Sequence, residues 1–115
     1  MTKYTYQNSK TFIERKSEYN RLQAKYLDRI PVIISVIDNL PNIEKRKYLV
    51  PIELTVGQFV YLIRKSMKLD PSKALFVYSN YVLLQANSQF GEITNKYKSM
   101  DGFLYMHFSG ENTFG

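Results

Sequence analysis

Apolar positions in the first quarter of the chain recur at helical intervals. Phe12, Tyr19, Leu22 and Tyr26 share one face, while Lys10, Arg15, Lys16, Arg21 and Lys25 fall mostly off that stripe. Thr11 and Glu14 stand three apart, the spacing at which a hydroxyl and a carboxylate satisfy free N–H groups at a helix start. A helix is therefore expected from Phe12 to about Tyr26, before Asp28-Arg29-Ile30-Pro31. A weaker helical turn is expected around Lys3–Gln7.

The period then changes. "IPVIISVI" is β-branched and reads as a strand, with Pro31 admissible at its start or on an edge. Asp38-Asn39-Leu40-Pro41-Asn42 carries turn chemistry, and "KYLVP" reads as a second short strand ended by Pro51. Thr55 and Gln58 repeat the capping pattern ahead of Val56, Phe59, Val60, Ile63 and Met67, which mark an amphipathic helix. Arg64, Lys65 and Lys68 suit the negative end of its dipole. "ALFVY" and "YVLL" read as strands joined by a tight turn at Ser79-Asn80. Phe90, Ile93 and Tyr97 fit a modest helix, Met100-Asp101-Gly102 a turn, and "FLYMHF" a last strand.

Helix, strand, strand, helix, strand, strand, helix, strand describes an α+β domain of two layers. A β-grasp is the leading arrangement, with residues 1–27 as an N-terminal helical extension, 28–108 as the core and 109–115 as a mobile tail. In that fold the first and last strands pair at the centre of the sheet.

Composition narrows the function. At 115 residues and 44% apolar content the chain is one globular domain, with no apolar run approaching the length of a bilayer span. The absence of cysteine excludes disulfides, a thiol nucleophile and thiolate metal sites. A cytoplasmic home follows as the simplest expectation. The net charge of +6 favours acidic partners such as anionic lipid or tubulin-like tails. Its cations are interrupted rather than blocked together, so nucleic acid is not expected. His107 has no acidic or histidine neighbours in sequence and reads as structural, which leaves no metal site. No nucleotide fingerprint or nucleophile motif is present, so intrinsic catalysis and a cofactor are not expected.

The stretch "KRKYLVPIELTVGQFVYLIRKSMKL", with "DRIPVI" before it and "DGFLYMHFSGENTFG" after it, resembles the autophagy-related ubiquitin-like modifiers of GABARAP type. The similarity runs from about Phe12 to Gly115. It implies a ubiquitin-like fold whose Gly115 is conjugated to phosphatidylethanolamine by partner enzymes. Those partners are an activating enzyme, a conjugating enzyme and a processing or deconjugating cysteine protease. It also implies an autophagosomal membrane location when lipidated, reaching the vacuole or lysosome, and places tubulin among the candidate partners. A glycine end suits such chemistry, because a carboxylate without a neighbouring Cβ is the least hindered.

The resemblance further implies docking of cargo receptors through acid-flanked aromatic-x-x-aliphatic peptides, by strand addition at "KYLV". Residue matching assigns an aromatic pocket to Glu18, Leu22, Pro31, Ile33, Lys47, Leu49 and Phe103. It assigns an aliphatic pocket to Tyr48, Val50, Pro51, Leu54, Phe59 and Leu62, and acidic-flank contacts to Arg29, Lys45, Arg46 and Lys47. Strand alternation supports the division, since Lys47 and Leu49 face one way and Tyr48 and Val50 the other. Ser66, Leu84-Gln85 and Leu27 depart from the family pattern and bear on peptide preference. An unconjugated adaptor and a modifier of proteins remain the alternative readings of the same features.

Overall fold

A computed structural model describes residues 6–37 and 40–111. Among the described residues nine elements follow in chain order: α1 (Tyr6–Ser9), α2 (Phe12–Lys25), β1 (Arg29–Ile37), β2 (Lys47–Pro51), α3 (Val56–Met67), β3 (Phe76–Ser79), β4 (Val82–Leu83), α4 (Phe90–Tyr97) and β5 (Leu104–Ser109). The sheet order is β2-β1-β5-β3-β4. β1 and β5 run parallel at its centre, and β1–β2, β3–β4 and β3–β5 pair antiparallel.

Strand alternation divides the interior. Val32, Ile34, Leu104, Met106 and Phe108 point to the face covered by α3 and α4, where they join Val56, Phe59, Ile63, Met67, Phe90 and Ile93. Ile33, Phe103 and Tyr105 point the other way, and Tyr6, Tyr19 and Leu22 of the N-terminal helices pack over them. The N-terminal extension thus covers part of the sheet's second face. Tyr6 and Tyr19 both meet Phe103 edge-on, with ring centroids 5.3 and 5.7 Å apart.

Both expected capping boxes form, Thr11 with Glu14 and Thr55 with Gln58. α3 ends with Lys68 in the left-handed conformation, its N–H donating to the carbonyls of Arg64 and Lys65.

Several expectations need correction. The first helix is Tyr6–Ser9 in the described residues; the Lys3–Thr5 part of that expectation lies outside them, as do Asp38 and Asn39. Phe12 is not a packed member of the α2 stripe, because it sits at the first turn and is 46% exposed. The β3–β4 turn is centred on Asn80-Tyr81, both left-handed, rather than on Ser79-Asn80. Ser79 instead ends β3, buried, with its Oγ donating to the Tyr105 carbonyl at 2.7 Å. Ser109, assigned to the tail, is the last residue of β5 and buried; its Oγ accepts from Glu111 N–H at 3.1 Å.

Candidate functional site

β2 is an edge strand, and its register determines which backbone groups remain free. Ile34 N–H donates to the Arg46 carbonyl at 2.8 Å. Alternation then makes Val32–Tyr48 and Ile30–Val50 the hydrogen-bonded pairs. Pro31, which lacks an N–H, falls opposite Leu49 in a pair that requires none. The N–H and C=O groups of Lys47 and Leu49 therefore point away from the sheet. Pro51 offers no N–H and closes this free edge.

Beside that edge lies a cavity of about 360 Å³, lined by Glu18 and Leu22 of α2, Pro31 and Val32 of β1, Lys47, Tyr48 and Leu49 of β2, and Lys45 and Phe103. Six of the seven residues assigned to an aromatic pocket meet here. Its floor is apolar, and its volume is in the range that holds a large side chain. Ile33 is the exception. It is buried under Tyr6 and Phe103 and lines a separate, smaller cavity with Tyr6, Ser35, Tyr105 and His107.

One electrostatic group organises the rim. Lys47 Nζ lies 2.7 Å from Glu18 Oε2 and 4.6 Å above the Tyr6 ring, while the Tyr6 hydroxyl donates to Glu18 Oε1. Burial works to raise the Glu18 pKa, but the bonds from Lys47 and Tyr6 outweigh it and hold the carboxyl below its ordinary value. Burial first, and then the bond to Glu18, push the Tyr6 phenol well above its usual range. Lys47 was assigned to meet acidic flanks; it already has an acidic partner from its own chain.

The other cations are less committed. Lys45 Nζ stands 4.8 Å over the Tyr48 ring, and Arg46 Nη2 donates to Asn42 Oδ1 at 2.8 Å. Arg29 is exposed at the start of β1, opposite Pro51.

The residues assigned to an aliphatic pocket do not all reach a surface. Val50 and Phe59 are each 2% exposed and belong to the main core. Tyr48 is edge-on to Phe59 with centroids 5.3 Å apart. Pro51 is half-buried, Leu54 packs partly against the core, and Leu62 is exposed on α3. A side chain arriving on this face would meet Tyr48, Pro51, Leu54 and Leu62, with the core residues beneath them.

Residue patterning gave no sign of two contributors. Tyr6 holds two lining residues from behind, meeting Phe103 edge-on and donating to Glu18, and Asp101 anchors α2. Their partners lie 12 and 86 residues away, beyond the reach of local spacing. Gly115 lies outside the described residues.

A mixed five-stranded sheet with two central parallel strands and a helix across one face defines a ubiquitin-like protein. The comparisons take this further. A family described as "Autophagy protein Atg8 ubiquitin like" matches residues 14–115. Autophagy-related protein 8 of Mycosarcoma maydis is 50% identical over 96% of this chain and 95% of its own length. Autophagy-related protein 8B of Oryza sativa subsp. indica is 47% identical over 100% of this chain and 98% of its own. Among solved structures, Trypanosoma brucei ATG8 superimposes with a TM-score of 0.86 at 39% identity, covering 94% of this chain and 95% of that one. Plasmodium falciparum Atg8, solved in complex with a peptide of Plasmodium falciparum Atg3, gives 0.86 at 28% identity, covering 95% and 98%. The chain belongs to the Atg8 family of ubiquitin-like autophagy proteins.

Proposed function

We propose that this chain is a conjugated autophagy modifier with a peptide-docking edge. Its Gly115 is joined to the amine of phosphatidylethanolamine, and its β2 edge gathers proteins that carry an acid-flanked aromatic-x-x-aliphatic segment. The observation that carries the docking half is the free Lys47–Leu49 ladder beside the 360 Å³ cavity. An extended peptide adds to the edge by backbone hydrogen bonds and seats its aromatic side chain between α2 and β2. A residue three further on points to the opposite face. There it reaches Tyr48, Pro51, Leu54 and Leu62.

The conjugation half is supported by family membership and by the place of β5. The strand that leads to the tail is central and rigidly held, so the tail leaves a firm body. The chain itself supplies no chemistry in this reading. The reactive cysteines belong to an activating enzyme and a conjugating enzyme, and a cysteine protease handles processing and release. The Atg3 peptide bound to the Plasmodium relative makes the conjugating enzyme a natural partner for this chain as well. No helix among the described residues is long and apolar enough to cross a membrane; the lipid provides attachment to autophagosomal membranes, since two acyl chains anchor far more firmly than one.

Titration of an acid-rich aromatic-x-x-leucine peptide tests the docking half. Wild-type chain should bind with a Kd in the micromolar range, on the order of −7 to −9 kcal/mol. Leu49→Ala should weaken binding about tenfold, as loss of one well-packed contact does. Unchanged affinity would remove the cavity from the site.

A further inference from the structure

We propose that Ser66 accepts a phosphoryl group from an arginine-directed serine kinase, and that the phosphate weakens docking of acid-flanked peptides. The effect on docking rests on the reading above; the modification itself does not.

The tripeptide Arg-Lys-Ser occurs twice in the chain, at Arg15-Lys16-Ser17 and at Arg64-Lys65-Ser66. A kinase cleft lined with carboxylates recognises an arginine shortly before the acceptor serine, and it takes that segment in extended form. Local structure separates the two copies. Arg15 is tied at 2.9 Å to the buried Asp101 carboxylate, and Ser17 lies well inside α2. Arg64 Nη1 instead donates to neutral acceptors on an exposed loop, the carbonyls of Asp70 at 3.4 Å and Lys73 at 2.9 Å. Ser66 is exposed and stands one residue before the end of α3, where Lys68 already turns left-handed. The last turn of a helix opens at lower cost than its interior.

The step takes ATP as co-substrate. Ser66 Oγ attacks the γ-phosphorus, a new P–O bond forms, and the bond to the ADP oxygen breaks. The hydroxyl proton passes to a carboxylate of the kinase.

Position gives the phosphate its effect. Phe59, Leu62 and Ser66 follow at spacings of three and four, so they share one face of α3. Leu62 is the exposed wall that awaits the aliphatic anchor. Ser66 is its neighbour one turn on, with about 5–6 Å between Cβ atoms. A phosphate there carries about −1.5 to −2 charges at neutral pH. It lies within the roughly 10 Å screening length of 0.1 M salt from a side chain seated on Leu62. It also offsets Arg64, Lys65 and Lys68, the cations that surround it in sequence. An acid-flanked peptide then meets less attraction and more repulsion.

The test starts with the whole chain, a purified arginine-directed serine kinase and Mg-ATP, read by intact mass and fragmentation. One phosphoryl group should be added on Ser66, and Ser66→Ala should take up none. Addition on Ser17 with Ser66 unmodified, or no addition at all, overturns the site. The phosphorylated chain is then titrated with two aromatic-x-x-leucine peptides, one acid-rich and one with neutral flanks. The acid-rich peptide should bind it about three- to tenfold more weakly than it binds the unmodified chain, with a gap that narrows as salt is added. The neutral peptide should bind both forms alike. Equal affinity of the acid-rich peptide for both forms, or an equal loss for both peptides, overturns the electrostatic effect on docking. Failure of the unmodified chain to bind either peptide overturns the docking reading, and fragmentation still decides the site.

Discussion

Arg15 Nε lies 2.9 Å from Asp101 Oδ2, joining a helix with no buried residue of its own to a carboxylate with no solvent exposure. Asp101 also accepts from the Tyr105 hydroxyl at 2.5 Å and from the Phe103 N–H at 2.9 Å. These bonds hold α2 against the turn that leads into β5, and so hold Glu18 and Leu22 in position at the large cavity. Gly102 makes the approach possible. With φ at 101° it turns tightly into β5, and a Cβ there would stand 2.4 Å from the Tyr19 ring.

Asp101→Asn keeps the shape but removes the charge that Arg15 and Tyr105 address. The variant should lose about 2–3 kcal/mol of stability, the range for a disrupted buried charged hydrogen-bond network. Urea denaturation measures it. Peptide affinity should fall as well, because α2 forms one wall of the site. A variant as stable as wild type would show that the anchor lies elsewhere.

How far the sequence reveals this arrangement depends on the range of each interaction. The capping boxes at Thr11 and Thr55 and the stripe from Val56 to Met67 are local, and each was legible from spacing alone. Alternation in "KYLV" separated Lys47 and Leu49 from Tyr48 and Val50. The same period did not show that Ile33 sits under Tyr6, since that depends on where α1 docks. Val50 and Phe59 were assigned to a surface pocket but are core, because matching residues to a family gives position without depth. The turn stands at Asn80-Tyr81, one residue beyond the Ser79-Asn80 that composition suggests, because a left-handed tyrosine is uncommon. The Arg15–Asp101 pair spans 86 residues and left no pattern to read.

Glu18→Gln should strengthen binding of acid-flanked peptides. The substitution keeps an acceptor for Tyr6 but releases Lys47 from its internal ion pair. The gain should be about 0.3–1 kcal/mol at low salt, as for a partly solvated pair, and should shrink as salt is added. Titration of one peptide at two ionic strengths checks it. Weaker binding at low salt would show that Lys47 must be held by Glu18 to serve the site.

Stability should fall as the pH drops below about 6.5, with His107 responsible. Burial lowers the pKa of this imidazole, so the unfolded chain takes up a proton before the folded one does. The contribution is complete above the ordinary value of 6.5 and is lost as the pH falls through the lower folded value. Glu14, Glu18 and Asp70 are also held below their ordinary values, but those lie at 4.5, 4.5 and 3.8, so their losses come later. Denaturation midpoints between pH 7 and 5 should therefore slope less steeply in His107→Gln than in wild type. Equal slopes would assign the effect to another group.

The central claim is attachment through Gly115, and intact-mass measurement addresses it most directly. The chain is incubated with the activating and conjugating enzymes, ATP and liposomes containing phosphatidylethanolamine. The predicted product is heavier by one phosphatidylethanolamine less one water, with fragmentation placing the addition on Gly115 and no adduct forming on a chain that lacks this residue. An unmodified mass for the full chain, or a lipid adduct on the chain without Gly115, would contradict the account.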